Sequence, residues 1–147
     1  MTEAVSLQDV VYLCEVAERP GVVHSIAAVF AHRGLSIKAL VADTSHSLPR
    51  ILVAFRGTAR QCRMVEQVLM RLHHVHGVRT FPIDAPELRA LAICRTQGEL
   101  PAMPGVREQS LGDTSLLSGT YGAVELAINQ LLEQGLVSDV SRTIVAL

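Results

Sequence analysis

Runs of apolar residues separated by short polar breaks predict six secondary-structure elements in the first 82 residues. Strands, in which β-branched and other apolar residues dominate, are predicted over residues 9–17, 35–42, 50–56 and 78–81. Helices are predicted where apolar residues recur every three or four positions, one over 22–33 and one from Ala59 to a stop at Gly77. The order β-α-β-β-α-β is that of the split βαβ arrangement, in which four antiparallel strands carry two helices on one face.

Three connecting segments set where the helices and strands begin. Pro20 is expected in the first turn of the first helix, where its missing N–H breaks no hydrogen bond. Thr58 is expected to cap the second helix, because a threonine hydroxyl can accept a hydrogen bond from a free helical N–H. The polar stretch 43–49 is typical of a hairpin loop between two strands.

A linker marked by Pro82 and Pro86 precedes a second run of elements. Strands are predicted over residues 88–94, 106–111, 115–118 and 137–145. A loop is predicted over 96–105, and a helix from Thr120 to a stop at Gly135. This order equals the first with its first helix missing. The predicted fold class is therefore α+β: a ferredoxin-like βαββαβ domain over 9–82, followed by a shortened second ferredoxin-like α+β domain over 87–147.

The composition indicates a protein that hides apolar surface against a partner. Hydrophobic residues make up 49% of the chain and charged residues 18%, whereas soluble domains usually carry about 25% charged residues. The net charge of -1, the single lysine and the absence of tryptophan argue against a nucleic-acid partner. No stretch reaches the roughly 18 to 20 apolar residues of a membrane span. Because the first ten residues contain no basic group, we expect a cytoplasmic protein without a secretory leader.

The cysteines and clustered histidines do not have the spacing of a metal site. Cys14, Cys62 and Cys94 are far apart and odd in number, so we expect buried thiols rather than a zinc site or a disulfide framework. His73 and His74 are neighbours on the predicted second helix, where adjacent side chains diverge by about 100°. No metal is therefore expected at these histidines.

Two stretches resemble the family of small (regulatory) subunits of acetolactate synthase. The first is ERPGVVHSIAAVFAHRGLSIKAL, residues 18–40, within a region from Val11 to Phe81 that resembles an ACT domain. Its matching positions are Pro20, Gly21, Phe30, Arg33, Gly34, Ile37 and Leu40. The second is the carboxyl-terminal stretch DVSRTIVAL, and ELRALAIC over 87–94 lies where the family has a similar strand. The resemblance thus covers both predicted domains.

The resemblance implies a regulatory subunit that is not itself an enzyme and that acts in branched-chain amino acid biosynthesis. Such subunits form a homodimer through their ACT domains and bind and activate the catalytic (large) subunit of acetolactate synthase. The thiamine diphosphate, its metal ion and any flavin then belong to that partner, so this chain is expected to bind no cofactor. A small amino acid such as valine is the effector that the resemblance implies.

The implied effector site lies at the ACT dimer interface, between the loop after the first strand and a neighbour's strand. The positions that match it are Glu18, Arg19, Pro20, Gly21, Val22, Val23, Leu35, Ser36 and Ile37. Gly21 allows a carboxylate to approach backbone N–H groups at the start of a helix. The alternative is that Pro20 and Gly21 simply make a sharp turn.

Two departures from the family weaken the expected response to valine. The family places asparagines in the loop and at the start of the next strand, where this chain has Glu18 and Ser36. A carboxylate at position 18 repels the ligand's carboxylate unless it pairs with the ligand's ammonium group, and serine reaches less far than asparagine. We therefore expect weak or absent valine binding.

Other functions remain open at this point. A stand-alone amino-acid sensor and a purely structural activator without effector binding are the two alternatives. The ferredoxin-like fold also hosts acyl-phosphate hydrolases, for which Arg19 lies in a suitable loop. The glycine-rich phosphate loop is missing, however, and the sole asparagine, Asn129, lies in the second predicted domain. Catalysis by this chain alone is therefore not expected, and Arg19, Arg33 and Arg50 are expected to be solvated or to form ion pairs.

Overall fold

A computed structural model describes residues 6–45 and 47–147 of the chain. It divides into two compact units, one ending at Pro82 and one spanning Ile83–Leu147. The first five residues, on which the expectation about a secretory leader largely rests, lie outside the described residues. His46, at the centre of the predicted 43–49 loop, lies outside them as well.

The first unit is a four-stranded antiparallel sheet with two helices. Its elements are β1 (Leu7–Val16), α1 (Val22–Ala31), β2 (Ile37–Asp43), β3 (Arg50–Thr58), α2 (Ala59–Met70) and β4 (Val75–Pro82). The strand order is β2-β3-β1-β4. The predicted split βαβ arrangement is therefore confirmed, and β2 is an edge strand.

The core of this unit lies between the sheet and the helices. Alternate residues of β1 and β3 face α1 and α2 and are buried with them. Three aromatic rings form its centre, with 6.4 Å between the ring centroids of Tyr12 and Phe30 and 5.4 Å between those of Phe30 and Phe55. The buried Tyr12 hydroxyl donates a hydrogen bond of 2.8 Å to the carbonyl of Cys62, so its polar end is satisfied inside the core.

The end of α2 differs from the prediction. The helix ends at Met70 instead of near Gly77, and Gly77 lies within β4, opposite Glu15 of β1. The apolar Leu72 and Val75 pack against the core on either side of a turn, in which the Val75 N–H donates to the Leu72 carbonyl. Packing of these two partly buried side chains reverses the chain about two helical turns before the predicted stop at Gly77.

The second unit repeats the sheet with one helix fewer. Its elements are β5 (Leu88–Thr96), β6 (Val106–Leu111), β7 (Thr114–Thr120), α3 (Tyr121–Glu133) and β8 (Val137–Ala146). The strand order β6-β7-β5-β8 corresponds strand for strand to the order in the first unit. Residues 97–105 connect β5 to β6 without a helix, which confirms the predicted loss of the first helix.

One helix covers one face of this second sheet. Alternate residues of β5, from Leu88 to Cys94, are buried on that face together with the inner residues of α3. The Glu125 carboxylate of α3 forms an ion pair with the Arg142 guanidinium of β8.

In the part of the chain that the structure describes, no helix is long and apolar enough to cross a membrane.

Candidate effector site

The loop after β1 forms a tight turn that ends at the start of α1. Gly21 has φ 87° and ψ −7°, and the Val22 N–H approaches the Arg19 carbonyl at 3.4 Å. These values define a type II turn with Pro20 at the second position and Gly21 at the third. Pro20 therefore precedes the helix, and its predicted place in the first helical turn is wrong. A left-handed Gly21 cannot continue a helix, so the helix begins at Val22.

The first turn of α1 has backbone N–H groups that no side chain caps. Its N-cap, Gly21, makes no side-chain hydrogen bond, and the first turn contains no acidic residue. The nearby Ser25 hydroxyl donates to the Gly21 carbonyl, 3.0 Å away, and so does not cap these groups either. The amides of Val23 and His24 consequently lie at the positive end of the helix and suit a carboxylate.

The side chains around this helix start differ in their access to solvent. Glu18, Arg19 and Pro20 are exposed, and Val23 keeps 44% of its surface. Val22 is only 5% exposed and belongs to the core. In a carboxylate site, Val22 can therefore contribute its backbone but not its side chain.

The second matching segment, Leu35–Ile37, follows the far end of α1. Gly34 has φ 66° and closes the helix, with the Leu35 N–H donating to the Phe30 carbonyl at 2.9 Å. Because α1 is ten residues long, the two segments lie roughly 15 Å apart within one chain. The structure therefore does not bring them together in a single protomer, and a joint site needs the segment of a neighbour.

The edge strand β2 has an irregularity next to this segment. Ile37 pairs with Phe55 and Ala39 with Ala54, so Lys38 is an extra residue in the ladder. Its ammonium group lies 3.3 Å from the Asp9 carboxylate of β1. Bulges are common at sheet edges and near functional sites. Beyond the bulge, one side of β2 has no strand partner among the described residues.

Histidines lie beside the start of α1, which the sequence did not suggest. His73 and His74 lie in the turn after α2 rather than on a helix, and their ring centroids are 4.5 Å apart, so the expected divergence is wrong. Together with Ser25 and the first residues of α1 they line a cavity of about 60 Å³. Burial, the His73 ring, Arg19 and His76 lower the pKa of His74. The sequence pattern did not predict this proximity, because it extends α2 to Gly77 and so places both histidines on the helix.

Metal-binding and reactive groups are sparse in the described residues. No group of three or more His, Cys, Asp or Glu side chains there could hold a metal ion. Cys14, Cys62 and Cys94 are buried free thiols, as predicted. Burial raises the pKa of Cys14 to about 12 and also raises that of Cys94. Protonated, buried thiols are poor nucleophiles.

The structure does not bring the remaining candidate polar residues together into one site. The Arg33 guanidinium, just after the end of α1, donates to the Val29 carbonyl of that helix, 2.9 Å away. Arg50 begins β3 and stands in register with Glu15 and Asp43 on the two neighbouring strands. Asn129 is exposed on α3 in the second unit, whereas Arg19 is in the first.

These features define an α+β protein with two ferredoxin-like units, an uncapped start of α1 and a free edge strand β2. The fold is similar to the crystal structure of the acetolactate synthase small subunit from Thermotoga maritima, with a TM-score of 0.61 and 25% sequence identity. That similarity covers 97% of this chain and 97% of that chain. A structure of aspartokinase alpha and beta subunits shares the fold, with a TM-score of 0.50, 9% identity and coverage of 90% and 97%. No protein-family model and no curated protein matches the chain.

The chain therefore has the ferredoxin-like, ACT-type α+β fold. It resembles ACT-domain regulatory subunits in that fold.

Proposed function

We propose that this chain is a non-catalytic regulatory subunit that binds and activates the thiamine-diphosphate-dependent catalytic subunit of an acetolactate synthase. The observation that carries the proposal is the similarity to the Thermotoga maritima acetolactate synthase small subunit, because it extends over 97% of both chains and so includes both units. In this role the catalytic subunit holds the cofactors and the chemistry. The regulatory subunit favours the active arrangement of its partner by binding that arrangement more tightly.

The homodimer forms through the first unit in this proposal. The ACT domain comprises residues 9–82, and its edge strand β2 pairs with the same strand of a second copy across a two-fold axis. Support comes from the free edge of β2 and from the separation of the two effector segments by the length of α1. Pairing of this kind supplies the Leu35–Ile37 segment of one protomer to the Glu18–Val23 loop of the other.

The effector, in this proposal, is a small amino acid whose carboxylate meets the uncapped amides at the start of α1. Glu18 is exposed beside that point, where its charge opposes a carboxylate unless it pairs with the ligand's ammonium group. Ser36 offers a shorter donor than an amide side chain. We expect valine to bind weakly or not at all, and a low-micromolar dissociation constant by calorimetry would contradict this.

An activity assay tests the proposed function. The thiamine-dependent synthase subunit of the same organism is purified with and without this chain, and acetolactate formation is measured. We expect co-purification and an activity gain of about fivefold or more. If the two proteins do not associate while the chain still binds an amino acid, a stand-alone sensor is the better description. If activation is unchanged across a titration of valine, leucine and isoleucine, the chain is a structural activator.

A further inference from the structure

Within the described residues of the second unit, α3 covers only one face of the sheet. In β5, the residues from Leu88 to Cys94 that point towards α3 are buried, while Leu91 and Ile93 between them keep 42% and 49% of their surface. The pairing register places residues of the other strands on the same side. We call this surface the open sheet face, and its central and flanking residues are Arg89, Leu91, Ile93, Arg107, Leu116 and Val145.

The centre of the open sheet face carries the apolar side chains of Leu91, Ile93 and Leu116, flanked by the hydroxyl residues Ser118, Ser141 and Thr143. Ile93 of β5 stands opposite Leu116 of β7, and Val145 of β8, which is 38% exposed, stands opposite Arg89. A sheet face that meets only water normally carries polar residues in alternation with the buried ones. The exposed Leu91 and Ile93 on the central strand depart from this pattern and indicate a surface that another protein covers.

One end of the open sheet face carries positive charge that is not neutralised. Arg89 and Arg107, together with Ser118, line a shallow hollow of about 500 Å³, and no acidic side chain among the described residues forms an ion pair with either arginine. At the other end, the Arg95 guanidinium lies 3.1 Å from the Asp113 carboxylate and 3.2 Å from that of Asp139. The charge left for a partner is thus confined to the hollow.

From this geometry we propose that the open sheet face is the surface on which this chain docks to its catalytic subunit. The proposal rests on the proposed function and adds the contact surface. The partner presents an apolar patch over Leu91 and Ile93, flanked by a carboxylate that enters the hollow between Arg89 and Arg107. A guanidinium pair of this kind can bind a carboxylate with charge-assisted hydrogen bonds.

Charge and size favour this occupant over a second copy of the chain. The two aspartates beside the face, Asp113 and Asp139, are already paired with Arg95, so a second copy packed face against face brings neither of them as an unpaired carboxylate to the hollow. Four strands about 4.8 Å apart give a face of roughly 400 Å² per partner. That is about half of a standard interface, which suits one part of a larger contact between different subunits better than a stable dimer on its own.

Two single substitutions and one matched control test the docking surface. Leu91→Asp places a charge in the apolar centre, and Arg107→Glu reverses the charge at the hollow. Leu126→Asp is the control, because Leu126 is an exposed leucine, at 60%, on α3. Each full-length variant is checked for a cooperative unfolding transition, and its affinity for the purified catalytic subunit is measured by interferometry. We expect both test variants to bind at least about tenfold more weakly than wild type, and the control to bind like wild type.

The outcomes separate the docking surface from the proposed function. If the wild type binds and activates the synthase and both test variants do the same, the docking surface is wrong while the proposed function stands. If the wild type itself does not bind, both are wrong. If Leu91→Asp lowers the mass of the isolated chain in light scattering, a second copy covers the face, which also overturns the proposal.

Discussion

Gly21 is the residue on which the geometry of the candidate effector site depends. Its φ of 87° places it in the left-handed region, and an added Cβ would meet no atom within 4 Å. A side chain here is therefore opposed by backbone conformation and not by a clash. The same conformation leaves the first amides of α1 without a side-chain cap. The glycine at position 21 thus both keeps the turn free of strain and leaves the backbone N–H groups of α1 exposed.

Substitutions at Gly21 test the left-handed conformation of this turn. Gly21→Ala is expected to destabilise the fold by about 1 to 2 kcal/mol, because an alanine is strained in the left-handed region. Gly21→Asn is the matched control, since asparagine tolerates the third position of a type II turn. The free energy of unfolding in urea measures both. Equal stability of Gly21→Ala and the wild type would contradict the assigned turn.

At the level of strands and helices, the pattern of side chains predicted nearly all of the architecture. Strand and helix periods stand out in β5 and α3 because each packs one face or stripe against a core. By contrast, β1 and β3 are continuous apolar runs that are buried on both faces. The side chains of β6 are also consistent with the missing helix of the second unit. Its helix-side residues Glu108 and Ser110 are polar, whereas the corresponding strand β2 has Ile37 and Leu40 packed against the core.

What the sequence could not predict depends on contacts between distant segments. The end of α2 follows from the burial of Leu72 and Val75, not from a local stop signal. The place of His73 and His74 beside Ser25 follows in turn from that end and from the position of α1. In the same way, Pro20 suits both a helical turn and a type II turn, and only the φ of Gly21 distinguishes them. These features needed tertiary structure.

The attachment of α3 to its sheet gives a prediction about stability. Glu125 is 7% exposed and pairs with Arg142 of β8. Glu125→Ala is expected to lower the free energy of unfolding by about 2 kcal/mol, less than for a fully buried pair because the Arg142 side chain is 38% exposed. Glu133→Ala, at an exposed position of the same helix, is the control. Urea denaturation measures both, and equal losses would mean that the ion pair contributes nothing.

For the molecule as a whole, the low charge content is matched by particular surfaces. The first unit leaves the edge of β2 without a strand partner among the described residues. The second unit exposes Leu91, Ile93 and Val145 on one sheet face. A chain with 18% charged residues thus has two distinct surfaces to which our proposals assign association. In our proposals, one joins two copies and the other joins the catalytic subunit.

Removing the second unit tests this division between the two surfaces. The first unit has its own core between sheet and helices, so a chain that ends at Pro82 is expected to unfold cooperatively and to remain a dimer by sedimentation equilibrium. Because it lacks residues 83–147, including the open sheet face, it is expected to lose activation of the synthase. Circular dichroism provides the control that the truncated chain is folded. Full activation by a folded, truncated dimer would place the docking surface in the first unit instead, because no other part of the chain would remain to make the contact.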